Sequence, residues 1–152
     1  MIALIEDEAE KAEALKSALI EFGVHFNAIE EINNVRDAVL SVRKSSYRVI
    51  ILDVSLPTFS PEGMVGSAGR AQQQSGGLEV LRALKFEKRS SPIIIVTQYP
   101  DIVFEGRSVE LASVSVHVKE RYGQDVIDVI LYREADPTGW REKLKQAIGA
   151  YV

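Results

Sequence analysis

The sequence contains no cysteine, so neither a disulfide framework nor a thiolate for metal binding or nucleophilic catalysis is available. No apolar run approaches the roughly 18 residues that a membrane-spanning helix needs, and no basic segment typical of a signal peptide precedes the first apolar run. The formal net charge of −4 disfavours the broad basic face that nucleic-acid binding requires. We therefore expect a cytoplasmic protein without direct membrane or nucleic-acid partners.

The chain has 152 residues, of which 46% are hydrophobic, and this is enough to bury the core of one domain spanning residues 1–152. Short apolar runs alternate with segments whose apolar residues recur at helical spacing. This alternation predicts a parallel sheet with helices on both faces. The predicted strands are residues 2–5, 25–32, 49–52, 93–96 and 126–132, and the predicted helices are residues 9–22, 35–43, 78–86, 109–122 and 138–151.

The segment 109–122 is ambiguous. Val114, Val116 and Val118 alternate as in a strand, whereas Leu111, Val114, Val118 and Tyr122 fit one face of a helix. A parallel strand follows, and the connection to it needs a crossover, so helix is the favoured interpretation.

Residues 58–75 interrupt the alternation with a stretch rich in Gly, Ser and Gln, which we interpret as an inserted loop. The loop is expected to cover the site or to bind a partner. Its glycines at 63, 66 and 69 suggest a phosphate cradle, but the Gly-Lys-Ser/Thr ending of a P-loop is absent.

Polar residues stand where three predicted strands end: Glu6 and Asp7, then Asp53, then Thr97. Ligand sites in open parallel sheets form outside the carboxyl ends of the strands. Clustered carboxylates repel one another, and Mg²⁺ is the natural counter-ion for oxygen ligands. The alternative is that Asp7 or Glu8 merely caps the following helix. Asp53 favours a site, because the V-S-L-P that follows it starts no helix.

The motifs E-D, L-D-V-S-L-P, G-G-L-E-V-L-R-A-L and P-I-I-I-V-T-Q occur in an order that resembles the receiver domain of two-component response regulators over nearly the whole chain. The resemblance implies a flavodoxin-like three-layer sandwich with a five-stranded parallel sheet in the order 2-1-3-4-5. It also implies that Asp53 accepts a phosphoryl group from a histidine kinase or phosphotransfer protein. Glu6, Asp7, Asp53 and the backbone carbonyl of Ser55 would hold Mg²⁺, and Thr97 would contact the phosphoryl group.

One element of the receiver pattern is missing, because the lysine and proline expected after the fifth strand are replaced by R-E-A-D-P. Arg133 is the nearest cation, although its planar guanidinium is not equivalent to an ammonium group. Lys119 stands at about the family's distance from Thr97 but on the preceding predicted helix. A third alternative is that no residue replaces the lysine. Tyr132 is a candidate for the aromatic residue that accompanies the switch threonine, with a plain packing role as the alternative.

The leading functional hypothesis is a single-domain receiver that is phosphorylated on Asp53 and is not an enzyme, apart from weak self-dephosphorylation. No output domain follows Val152, so we expect the output to run through an unknown downstream protein. The runner-up is a pseudo-receiver that acts as an interaction module without phosphorylation. A Mg²⁺-dependent phosphohydrolase is disfavoured, because the second acid that dehalogenase-type enzymes need is Ser55 here.

Overall fold

The computed structural model of the chain describes residues 1–54 and 76–152. The predictions for Ser55 and for the loop 58–75 fall outside the described residues. Within them, no helix combines the length and apolar character needed to cross a membrane.

The central sheet has five parallel strands, and the described residues also form five helices and a separate two-stranded hairpin. In chain order the elements are β1 (Ile2–Ile5), α1 (Ala9–Glu21), β2 (Ile29–Ile32), α2 (Val35–Lys44), β3 (Val49–Leu52), α3 (Gly76–Phe86), β4 (Ile93–Thr97), β5 (Asp101–Phe104), β6 (Arg107–Glu110), α4 (Leu111–Tyr122), β7 (Val126–Leu131) and α5 (Pro137–Ile148). The order of strands in the sheet is β2-β1-β3-β4-β7, which confirms the predicted order with β7 as the fifth strand of the sheet.

Two apolar cores lie on opposite faces of the sheet, because successive side chains of a strand point in opposite directions. Ala3 and Ile5 of β1 join one core with residues of α2, α3 and α4. Ile2 and Leu4 join the other core with residues of α1 and α5. The predicted three-layer arrangement is therefore confirmed.

Several predicted bounds are off by one to three residues, among them the end of the last helix, which is Ile148 rather than residue 151. Two further differences lie at the starts of elements. The second strand begins at Ile29 rather than at residue 25, because Phe26–Ala28 form a short 3₁₀ turn in which the His25 ring accepts a hydrogen bond from the Asn27 amide. The ambiguous segment is a helix, as favoured, but it begins at Leu111, and Val109 belongs to strand β6.

The β5–β6 hairpin was not predicted. Its turn consists of Glu105 and Gly106, whose φ angles of 51° and 81° are both positive. Two such residues form the tight turn whose twist matches that of antiparallel strands. The sequence signal was therefore present, as a two-residue turn with glycine between short alternating runs.

The hairpin packs on the core that α3 and α4 share. Ile102, Phe104 and Val109 are buried there, and the Phe104 ring centroid lies 4.6 Å from that of His117. At the turn, the Glu105 carboxylate contacts Arg121 at 2.7 Å and accepts a hydrogen bond from the Tyr122 hydroxyl at 3.0 Å. These contacts fix the hairpin against the end of α4.

Gly77, in the first turn of α3, lies against the main chain that follows β3. Its amide donates to the Val54 carbonyl at 3.0 Å. A Cβ atom at this position would lie 2.4 Å from the Val54 Cα and 2.7 Å from its carbonyl oxygen. Only glycine allows this approach, which holds the backbone immediately after Asp53.

We expect Gly77→Ala to lower the free energy of unfolding by about 1–3 kcal/mol, because the added methyl group must push rigid backbone aside. Gly149→Ala is the matched control, since a Cβ there meets nothing within 4 Å. Urea denaturation followed by circular dichroism measures both variants. Equal stability of Gly77→Ala and wild type would show that the close approach is not required.

Candidate functional site

The carboxyl ends of β1 and β3 bring three carboxylates together. Ile5 is paired with Leu52 across these strands, so the residues that follow, Glu6 and Asp53, leave the sheet side by side. The Asp53 amide donates to the Ile5 carbonyl at 3.1 Å. Carboxylate oxygens of Glu6, Asp7 and Asp53 all lie within 4.8 Å of one another. The predicted meeting of these three acids is therefore confirmed, whereas their roles stay predictions.

Two of these acids are removed from water, whereas the third faces it. Glu6 is 3% exposed and Asp53 is 4% exposed, while Asp7 is exposed. Burial raises the pKa of Glu6 from 4.5 to about 7, with a further rise from the charge of Asp53 and a partial opposite effect from Lys11. Two buried carboxylates side by side are costly when both are ionised, so this site favours cations.

The helix-capping alternative is not supported for Glu8. This residue is the N-cap of α1 but makes no side-chain hydrogen bond to the helix. Its amide instead donates to a Glu6 oxygen at 3.1 Å, and its carboxylate accepts from the Gln98 side chain at 3.1 Å.

A lysine that the sequence analysis missed lies inside the site. The Lys11 side chain has no exposed surface, and its ammonium contacts Glu6 Oε1 at 2.6 Å and Asp53 Oδ2 at 3.2 Å. It also donates to the Val96 carbonyl and to the Gln98 side-chain oxygen, both at 2.9 Å. The ammonium therefore joins the ends of β1, β3 and β4.

Helix α1 buries Lys11 because of its helical position. Lys11, Leu15 and Ala18 are spaced by four and three residues, so they share the face that packs on the sheet. The neighbouring Ala12, although apolar, is only half-buried. The sequence did contain a signal for the burial of Lys11. This lysine lies at helical spacing from Leu15 and Ala18, and it follows the acids Glu6 and Asp7 by about one helical turn.

Thr97 ends β4 and is fully buried. Its hydroxyl accepts a hydrogen bond from the Tyr99 amide at 3.2 Å, and its carbonyl accepts one from the Tyr132 amide at 2.7 Å. The residue is thus held between the end of β7 and the chain that leads to the hairpin. Its contact with a phosphoryl group stays a prediction.

Tyr132, just after β7, packs in the core formed with α1 and α5. Its ring centroid lies 5.0 Å from that of Trp140, and the Lys11 ammonium lies 5.7 Å from the Tyr132 ring centroid. The packing role is therefore present in the structure, and the switch role stays a prediction.

Neither of the two cations predicted from the sequence is among the groups that contact Glu6, Asp53 or Lys11 in the hydrogen bonds and ion pairs described above. Arg133 is exposed in the turn after β7, where its carbonyl accepts a hydrogen bond from the Asp136 amide. Lys119 forms an exposed ion pair with Asp125 at 2.8 Å, next to the amino end of β7. The site lies at the opposite, carboxyl end of the strands, so the structure does not place the Lys119 ammonium there.

The donor set fits Mg²⁺. Glu6, Asp7 and Asp53 supply carboxylate oxygens, the ligands that this hard cation prefers. With all three acids ionised, the charge of Lys11 leaves two negative charges, which one divalent cation would neutralise.

Comparison with known proteins supports the resemblance. No family model matches the sequence. The Detocs response regulatory protein DtcB of Vibrio alginolyticus is 32% identical over 145 residues, which cover 94% of this chain and 95% of that protein. A response regulator from Hahella chejuensis has a TM-score of 0.62 at 18% identity, over 99% of this chain and 94% of that one. The beryllofluoride-activated NtrC receiver domain has a TM-score of 0.55 at 18% identity, over 99% and 95% of the two chains. These two structures support the flavodoxin-like fold alone.

The raised pKa of Glu6 predicts a specific pH dependence. Between pH 4.5 and about 7 the folded protein keeps the Glu6 proton and the unfolded chain loses it, so stability falls as pH rises through this window. The fall attributable to Glu6 amounts to at most about 3 kcal/mol. The free energy of unfolding is measured by denaturation at a series of pH values with a chelator present. It should change less with pH in Glu6→Gln than in wild type, whereas Glu13→Gln, an exposed control, should keep the wild-type pH dependence. Identical slopes in all three proteins would contradict the assignment.

Proposed function

The chain belongs to the response regulator family of receiver proteins, and we propose that it accepts a phosphoryl group on Asp53 from a histidine kinase or phosphotransfer protein. It acts as a single cytoplasmic domain and signals through a partner protein rather than by catalysis of its own. One observation carries the proposal: a buried Asp53 carboxylate lies beside two further acids and a lysine at the carboxyl edge of the sheet.

The transfer is a substitution at phosphorus. An oxygen of Asp53 forms a bond to phosphorus while the bond from phosphorus to the donor's histidine nitrogen breaks, and the imidazole keeps the electron pair and takes up a proton. Glu6, Asp7 and Asp53 would hold Mg²⁺, which supplies neutralisation of the phosphoryl charge when bound. Burial of Asp53 keeps water away from the product.

Thr97 links this chemistry to the hairpin. Its hydroxyl now accepts the hydrogen bond of the Tyr99 amide, and Tyr99 lies two residues before β5. When the hydroxyl turns to donate to a phosphoryl oxygen, this amide loses its partner. The chain leading to the hairpin then has a second preferred position, which a partner protein can distinguish.

A second candidate is the pseudo-receiver that binds a partner without phosphorylation. The ion pair between Lys11 and Asp53 favours it, because the carboxylate already has a cationic partner in the absence of any phosphoryl group. The two candidates differ in one outcome, which is the chemical state of Asp53 after exposure to a phosphodonor.

We expect acetyl phosphate with Mg²⁺ to modify wild type once, and Asp53→Asn to abolish the modification because the amide is not a nucleophile. Asp125→Asn is the matched control, since Asp125 is exposed at the other end of the sheet. Intact mass spectrometry detects the adduct. If folded wild type gives no adduct with either acetyl phosphate or beryllofluoride, the pseudo-receiver is the correct function.

We expect Asp7→Asn to weaken Mg²⁺ binding by about tenfold or more, because the site loses one of its charged ligands. Trp140 is the one tryptophan of the chain, and its contact with Tyr132 makes its fluorescence a reporter for the titration. Asp125→Asn again serves as the control. Equal Mg²⁺ affinity in Asp7→Asn and wild type would remove Asp7 from the metal site.

A further inference from the structure

We infer that Lys11, supplied by the first turns of α1, is the cation that binds the phosphoryl group on Asp53. The inference rests on the proposed function and adds a residue of this chain to it. It also answers which residue replaces the lysine that is absent after β7.

The first argument is position. The Lys11 ammonium lies 3.2 Å from Asp53 Oδ2, within one hydrogen bond of the carboxylate that receives phosphorus. It is not a mobile surface group, because its side chain has no exposed surface and is fixed by the Val96 carbonyl and the Gln98 side chain. A cation that is already held next to the reacting carboxylate loses little conformational entropy when the phosphoryl group arrives.

The second argument is hydrogen-bond capacity. An ammonium group has three N–H donors, and Lys11 donates to three of the four oxygens within 3.2 Å of its nitrogen: Asp53 Oδ2, the Val96 carbonyl and the Gln98 side-chain oxygen. The fourth, Glu6 Oε1, lies at 2.6 Å as an ion-pair contact without a hydrogen bond. Three of these oxygens belong to side chains, those of Glu6, Gln98 and Asp53. The Gln98 amide is the uncharged one, and a phosphoryl oxygen is a stronger acceptor than an amide oxygen. Lys11 can therefore transfer one donor from Gln98 to the phosphoryl group without leaving Glu6.

The third argument is charge. Phosphorylation converts the Asp53 carboxylate into an acyl phosphate that carries more negative charge at a buried position, and such a charge needs a compensating partner. Lys11 is in place as that partner. Arg133 is exposed in the turn beyond β7, and Lys119 is engaged with Asp125 near the other end of that strand.

A purely structural role would give a different experimental result. If Lys11 only neutralised the buried acids, its removal would release Glu6 and Asp53 for Mg²⁺ without harming phosphoryl binding. If its removal merely disturbed packing, both ligands would bind more weakly. If Lys11 binds the phosphoryl group, its removal should change the two affinities in opposite directions. Mg²⁺ should bind more tightly, and a phosphoryl analogue should bind more weakly.

The test compares Mg²⁺ and beryllofluoride affinities of wild type, Lys11→Met and Lys11→Arg by Trp140 fluorescence. At saturating Mg²⁺ we expect Lys11→Met to bind beryllofluoride at least about tenfold more weakly, since one charge-assisted hydrogen bond is lost. Its Mg²⁺ affinity should rise, and Lys11→Arg should recover part of the beryllofluoride binding. Two controls should behave like wild type: Lys16→Met, at a half-buried position on the same helix whose ammonium pairs with Glu31, and Arg133→Ala.

Beryllofluoride affinity that is unchanged in Lys11→Met, or lowered together with Mg²⁺ affinity, overturns the inference and leaves the proposed function intact. A wild type that binds no beryllofluoride refutes the proposed function, and the inference with it. If Lys11→Met does not fold, a crystal structure of wild type with Mg²⁺ and beryllofluoride shows whether the Lys11 ammonium contacts the phosphoryl analogue. The Lys11 nitrogen should lie about 3 Å from a fluorine atom, and an ammonium that reaches no fluorine overturns the inference.

Discussion

The site depends on the buried ion pair between Lys11 and Glu6, whose atoms approach to 2.6 Å without exposed surface on the lysine side chain. Burying an ammonium group is unfavourable unless its donors are satisfied. Here the Lys11 ammonium donates hydrogen bonds to a second carboxylate, that of Asp53, to the Val96 carbonyl and to the Gln98 side-chain oxygen. These contacts hold the first turn of α1 over the edge of the sheet at which strand pairing has placed the acids.

The scaffold around this pair is rigid where the proposed chemistry needs it to be rigid. Parallel pairing places the ends of β1 and β3 at one level, and the close approach of Gly77 to Val54 holds the backbone after Asp53. The chain between β4 and the β5–β6 hairpin is connected to Thr97 through one side-chain hydrogen bond, from the Tyr99 amide to the Thr97 hydroxyl. A charge change at Asp53 therefore has a short path of contacts to a surface that a partner can bind.

The fold was largely predictable because it depends on patterns that the sequence displays directly. Apolar runs predicted all five strands of the sheet, and helical spacing predicted the helices to within a few residues of their bounds. The hairpin was missed because the expectation of a helix after each strand overrode a clear turn signal at Glu105 and Gly106. The strand-like alternation at Val114, Val116 and Val118 lies within helix α4, and the strand that precedes this helix ends at Glu110.

By itself the sequence determined that Glu6, Asp7 and Asp53 would meet, because the ends of neighbouring parallel strands always lie at the same edge. It did not determine the cation among them. Lys11 stands in a run of charged residues that looks like a solvated helix face, and three of its four partners, Asp53, Val96 and Gln98, lie 42 to 87 residues away in sequence. Only the packing of α1 across the ends of β3 and β4 buries that side chain, because burial of a charge is decided by partners that local sequence does not contain.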